Sequence, residues 1–161
     1  MKSKRLTYTV EEAQKKLENY CVYQDRCHQE VEKKLNEMHM ISEAKELIIL
    51  YLIKYNFLNE ERFTKSYVRG KFRIKKWGKQ RIVRELRFKD ISDYNIKEGL
   101  KEIDPDEYLE VLKEVAIKKR DTITEKNMYK KSQKIINFLL YRGFENELVY
   151  KITREITDFK K

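Results

Sequence analysis

The stretch LRFKDI, residues 86–91, decides the fold, because LLYRGF, residues 139–144, repeats it position by position. Leu86 matches Leu139, Lys89 matches Arg142, Asp90 matches Gly143 and Ile91 matches Phe144. The register extends back to Ile82 and Ile135 and forward to Ile96 and Val149. LNEMHM, residues 35–40, is a more degenerate copy, with Val31, Leu35 and Met40 in the equivalent places. Val31, Ile82 and Ile135 are separated by 51 and 53 residues. A shared period of this length is the mark of repeat architecture.

Each copy reads as three helices. Thr9 followed by Glu12 forms a capping box, and Ala13, Leu17 and Tyr20 make the apolar stripe that follows. The spacing predicts a second helix near 28–38, and a third capped by Ser42 that carries Leu47, Ile48, Leu50 and Leu52. Asn59 caps a fourth, in which Phe63, Tyr67, Gly70 and Ile74 are read as the inward face. After a break at Trp77-Gly78, a fifth turns Ile82 and Leu86 inward. Ser92 caps a sixth, with Ile96, Leu100 and Ile103. Asp104-Pro105-Asp106-Glu107 starts a seventh with a cap, an N1 proline and an acid in the first turn. An eighth stops at Gly143, and a ninth covers 146–157. No segment alternates with period two long enough to claim a sheet. The expected fold is all-α: an elongated tandem array of three three-helix units. The expected bounds are a flexible terminus at 1–8 and units at 9–56, 57–103 and 104–158, each unit burying one face.

Charge is distributed unevenly over this frame. The chain holds 37 Lys and Arg against 27 Asp and Glu, for a net charge of +10. Between Arg62 and Lys89 the basic residues crowd together with Glu85 as the single acid, while the remainder is close to neutral. A local excess reads as a surface for a polyanion or an acidic partner. The candidates are Arg62, Lys65, Arg69, Lys71, Arg73, Lys75, Lys76, Lys79, Arg81, Arg84 and Arg87, with Trp77, the only tryptophan, among them. Such residues bind phosphates by charge and counterion release, or a strip of carboxylates on a protein. Trp77 is either a staple at the helix junction or, functionally, a stacking platform or interface anchor, and Gly78 permits a turn or a close approach.

Other chemistries find little support. G-x-x-x-x-G-K-[ST], H-E-x-x-H and G-x-S-x-G are all missing, and there are only two histidines, His28 and His39. Glu60 and Glu61 are explained by a helix start. Cys21, Cys27 and His28 lack a second ligand pair with zinc spacing, and are read as structural residues. No apolar run reaches the length of a membrane span. We expect a cytosolic, monomeric, non-enzymatic protein with reduced thiols and no metal or cofactor.

FLNEERFTKSYVRGKFRIKKWGKQRIVRELRFKDIS, residues 57–92, closely resembles the central segment of bacterial RecX regulatory proteins. The entry FLNEERF and the runs SYVRGK, KWGKQRI and ELRFKDIS carry the likeness. The outer units match by pattern and spacing. Met38-His39-Met40 departs from the usual basic residue, Gly and aromatic. The resemblance implies a regulator, usually an inhibitor, of the RecA recombinase that lies in the helical groove of the RecA–DNA filament, in DNA repair and recombination. The basic unit would then meet acidic filament surface, single-stranded DNA phosphate, or both. ATP would belong to RecA. A stand-alone helical nucleic-acid-binding protein remains the alternative.

Overall fold

The computed structural model describes residues 7–157. Most of the terminus expected at 1–8, and the last residue of the third unit, lie outside the described residues. The described residues form nine helices and no strand. The first unit comprises α1 (Val10–Tyr23), α2 (His28–Glu37) and α3 (Ser42–Lys54). The second comprises α4 (Glu60–Arg73), α5 (Lys79–Phe88) and α6 (Asp93–Leu100). The third comprises α7 (Pro105–Thr122), α8 (Met128–Tyr141) and α9 (Asn146–Thr157). The chain is an all-α repeat array.

The repeated hexapeptide is a turn with one geometry in all three units. In the second, the Asp90 N–H donates to the Arg87 carbonyl and the Ile91 N–H to the Leu86 carbonyl. In the third, Gly143 and Phe144 make the same pair of bonds to Leu140 and Leu139. In the first, His39 and Met40 make them to Asn36 and Leu35. This is the Schellman closure, which needs a left-handed residue just past the helix. His39, Asp90 and Gly143 all have positive φ, at 58°, 59° and 98°. The next residue is apolar each time. Ile91 and Phe144 are buried and Met40 is partly buried, which explains the apolar sixth position.

The side-chain caps of Thr9, Asn59, Ser92 and Asp104 form as the sequence indicates, and Asn127 caps α8 in the same way. Ser42 does not cap: it is the first residue of α3, and Ile41 occupies the cap position without a side-chain bond.

The units do not bury their faces independently. One core runs through the second and third units and takes in Cys27, while the first unit closes a core of its own around Leu17, Val31, Leu35, Ile48 and Leu52. Tyr108 joins the second and third units, its ring between those of Phe72 and Phe144. The buried hydroxyls of Thr64 and Thr153 donate to the carbonyls of Glu60 and Val149 one turn back, so neither burial leaves an unmet donor.

Three inward faces differ from the sequence reading. In α4 the buried side chains are Phe63, Thr64, Val68 and Phe72, whereas Tyr67 and Gly70 are half-buried and Ile74 is 78% exposed. Phe72 takes the core-facing place under Tyr108, and Ile74 lies past the last turn, at the cap. In α3, Ile48 and Leu52 are buried, but Leu47 and Leu50 point to solvent. In α1 the third core position is Cys21 rather than Tyr20, whose ring lies under the Arg26 guanidinium.

Candidate functional site

The basic residues divide into two sets once folded. Arg62 is a tie between units: Nε donates to Asp25 at 2.6 Å, and its other nitrogen reaches the carbonyls of Asn56 and Phe57. Along α4, Lys65 pairs with Glu61, Arg69 with Glu102 and Arg73 with Glu107. Lys76 pairs with Glu114 at 2.6 Å, and Arg87 with Asp93 at 3.6 Å. These six charges are partly met by acids from the same or neighbouring units. The sequence count missed this, because all of those acids lie outside 62–89.

The second set is Lys71, Lys75, Lys79, Arg81 and Arg84. None of them has an ion-pair partner among the described residues. Three are held by aromatic rings instead. Trp77, half-buried against the core, has the Lys71 ammonium 4.9 Å and the Arg81 guanidinium 4.1 Å from its ring centre. Arg81 also lies 5.0 Å from Tyr141, and Lys79 lies over Tyr108. Ring faces attract cations without cancelling their charge. The arrangement therefore fixes the geometry of Lys71 and Arg81 and leaves them able to attract an anion. Trp77 packs against the core at the junction and carries two of the cations on its ring.

The loop between α4 and α5 also borders a groove of about 450 Å³ that opens between the second and third units. Lys75, Lys76, Lys118, Lys119 and Arg142 line it with one acid, Glu114, over a floor that includes Val115 and Phe138. Lys118, Lys119 and Arg142 belong to the third unit and lay outside the sequence-based candidates. Their signal was present: Lys118-Lys119-Arg120 closes α7, and Arg142 is the repeat partner of Lys89.

Backbone geometry holds the two halves of this surface together. The N-cap of α5 is Gly78, which has no side chain to cap with. The Gly78 N–H instead donates to the Arg142 carbonyl at 2.8 Å, and the Gln80 N–H to the Gly143 carbonyl at 2.9 Å. The third unit thus caps a helix of the second. The approach is so close that a Cβ on Gly78 would lie 2.2 Å from the Gly143 carbonyl carbon. Tyr108 locks the same junction, accepting from the Lys79 N–H at 3.1 Å and donating to the Glu145 carboxylate. Burial, then the bond to Glu145, pushes the Tyr108 phenol far above its ordinary range.

Cys21 and Cys27 are buried free thiols, and burial raises both to about 11, so neither is a thiolate at neutral pH. Among the described residues, no group of three or more His, Cys, Asp or Glu is placed to hold a metal ion. No helix there is long and apolar enough to cross a membrane.

Comparison with known proteins agrees with this architecture. The family model of the second three-helix domain of RecX matches residues 59–100, and that of the third matches residues 106–153. The regulatory protein RecX of Clostridium acetobutylicum is 32% identical over 135 residues, covering 81% of this chain and 62% of that protein. That of Enterococcus faecalis is 30% identical over 131 residues, covering 81% and 49%. The chain thus spans about half to two thirds of the length of these relatives. The crystal structure of RecX from Lactobacillus salivarius superposes with a TM-score of 0.80 at 26% identity, over 91% of this chain and 96% of that one. With both domain models matched in order over more than half of its length, the chain belongs to the RecX family of regulatory proteins.

Proposed function

We propose that this protein regulates a RecA recombinase, as an inhibitor, by lying in the groove of the RecA–DNA filament and modulating its ATPase and strand exchange. The observation that carries the proposal is the cationic surface that two units of a RecX-family chain contribute together. It runs from Lys71, Trp77 and Arg81 to the groove of Lys75, Lys118, Lys119 and Arg142. Its cations lack ion-pair partners among the described residues, so their charge is available to acidic filament surface or to DNA phosphate. The salt-paired residues Arg62, Lys65, Arg69, Arg73, Lys76 and Arg87 contribute less, because part of their charge is already met.

Lys75→Glu, Lys118→Glu and Lys119→Glu combined should relieve inhibition of RecA ATPase on single-stranded DNA at fixed salt. The melt should barely move, since exposed charges contribute little to stability. Unchanged inhibition by this variant would refute the surface.

The alternative is direct binding of single-stranded nucleic acid, favoured by the exposed Tyr141 ring beside Arg81 and Trp77. Titration of bare single-stranded DNA against preformed filaments separates the two. A simple phosphate binder holds the bare strand as tightly as the filament and loses affinity steeply with salt.

A further inference from the structure

The outer face of α3 sets the first unit apart. Leu47, Leu50 and Ile53 are 64%, 57% and 45% exposed, and they lie on one side of the helix. At the repeat separations of 51 and 53 residues, Leu47 corresponds to Glu98 and Lys151, and Leu50 to Lys101 and Arg154. The same scaffold position is charged in the second and third units and apolar in the first. No packing need within the fold accounts for this, because the core side of α3 is already filled by Ala44, Ile48 and Leu52.

The charges flanking the patch are ordered. Glu43 and Glu46 lie at the N-terminal end of the face and Lys54 at the C-terminal end. Neither Glu46 nor Lys54 has an ion-pair partner among the described residues. The pattern is symmetric about Leu50: Glu46 and Lys54 stand four residues to either side, and Leu47 and Ile53 three. Two such helices packed antiparallel on a two-fold axis at Leu50 would set Leu50 against Leu50, Leu47 against Ile53 and Glu46 against Lys54. That is the self-complementarity an isologous interface requires. Antiparallel helix dipoles favour the same arrangement. A groove of about 450 Å³ between Ile49, Leu50 and Ile53 on one wall and His28 and Glu32 on the other runs beside the ridge, and it can receive side chains of the second helix.

We propose that the outer face of α3 is a homodimer interface, occupied by α3 of a second copy of this chain in antiparallel orientation. One helix pair buries less than a standard protein–protein interface, so the association is weak, in the micromolar range or above. The proposal departs from the monomer expected from sequence and does not rest on the RecA reading.

Sedimentation velocity on the full chain, from low to several hundred micromolar, tests it. The expected result is a reversible monomer–dimer equilibrium. Leu50→Asp should weaken it about a hundredfold or more, since it opposes two carboxylates across the axis. Glu46→Lys and Lys54→Glu should each weaken it, and the double exchange Glu46→Lys/Lys54→Glu should restore it. Circular dichroism melts check that each variant stays folded. A monomer at every concentration overturns the proposal, as does a dimer indifferent to Leu50→Asp or a double exchange that fails to restore association. If the wild type stays monomeric while Leu50→Asp weakens filament binding, the face docks on the filament and the proposal is also wrong.

Discussion

Gly78→Ala should damage the fold far more than one added methyl group ordinarily does. The added Cβ would meet the carbonyl carbon and oxygen of Gly143 and the nitrogen of Phe144 at 2.2–2.3 Å. All three are backbone atoms, so no rotamer change makes room. To reach ordinary carbon contact the α8–α9 turn must retreat by about an ångström. That carries the 2.8 Å and 2.9 Å bonds from Gly78 and Gln80 beyond hydrogen-bond length. Overpacking costs about 1–3 kcal/mol, and each lost bond adds about 1 kcal/mol. The sum, roughly 3–5 kcal/mol, is a large part of the ~5–15 kcal/mol that holds a domain together. Gly70→Ala is the matched control. Nothing lies within 4 Å of its Cβ, and it is inside α4. Alanine there should stabilise by about 0.5–1 kcal/mol through helix propensity. Urea titration followed by circular dichroism reads both. A Gly78→Ala midpoint equal to wild type, or a Gly70→Ala loss as large as that of Gly78→Ala, would refute the close-approach account of the junction.

Tyr108→Phe keeps the ring but leaves the Lys79 N–H and the Glu145 carboxylate without their shared partner; it should cost about 1–3 kcal/mol in the same titration. Trp77→Ala should cost less than the ~3–5 kcal/mol of a fully buried aromatic, because the ring is only half-buried. It should weaken filament binding as well, since Lys71 and Arg81 lose their support; a drop in stability with binding intact would make Trp77 purely structural. Stability should also fall in alkali. Burial raises Cys21 and Cys27 from 9.0 to about 11, and Tyr67 from 10.0 to about 12. Below pH 9.0 folded and unfolded chains hold these protons alike; above it the unfolded chain releases them first, so stabilisation is lost as pH rises through about 11. Melting temperature against pH checks this, and Cys21→Ala/Cys27→Ala should flatten the slope.

The repeat was legible because its turn imposes local demands: an apolar anchor, a left-handed position and an apolar closing residue recur as Leu86, Asp90 and Ile91. Side-chain caps were legible for the same reason, with Ser42 the exception. The face of α4 was harder. Two overlapping stripes, one through Ile74 and one through Phe72, fit helical spacing, and the tertiary neighbours decide between them: Gly99 of α6 lies against Thr64 and Val68, and Tyr108 of the next unit against Phe72. Counting cations located the basic region but not its free members. Which of them are neutralised depends on acids brought back by the fold, such as Glu107 for Arg73 and Glu114 for Lys76. The contribution of Lys118 and Lys119 depends on the same docking of the third unit.

The capping of α5 by the Arg142 and Gly143 carbonyls has a bearing on how the chain matures. During synthesis the first unit leaves the ribosome with a complete core, and it can fold while the rest is still being made. The second unit emerges with the first turn of α5 uncapped and with the Phe72 side of its core open until α7 and α8 follow. A nascent chain halted between the second and third units should therefore protect the first unit from protease and leave the basic segment cleavable. The cationic surface would then take shape only when the last unit arrives, so a truncated product would carry the charges of the regulator without their arrangement.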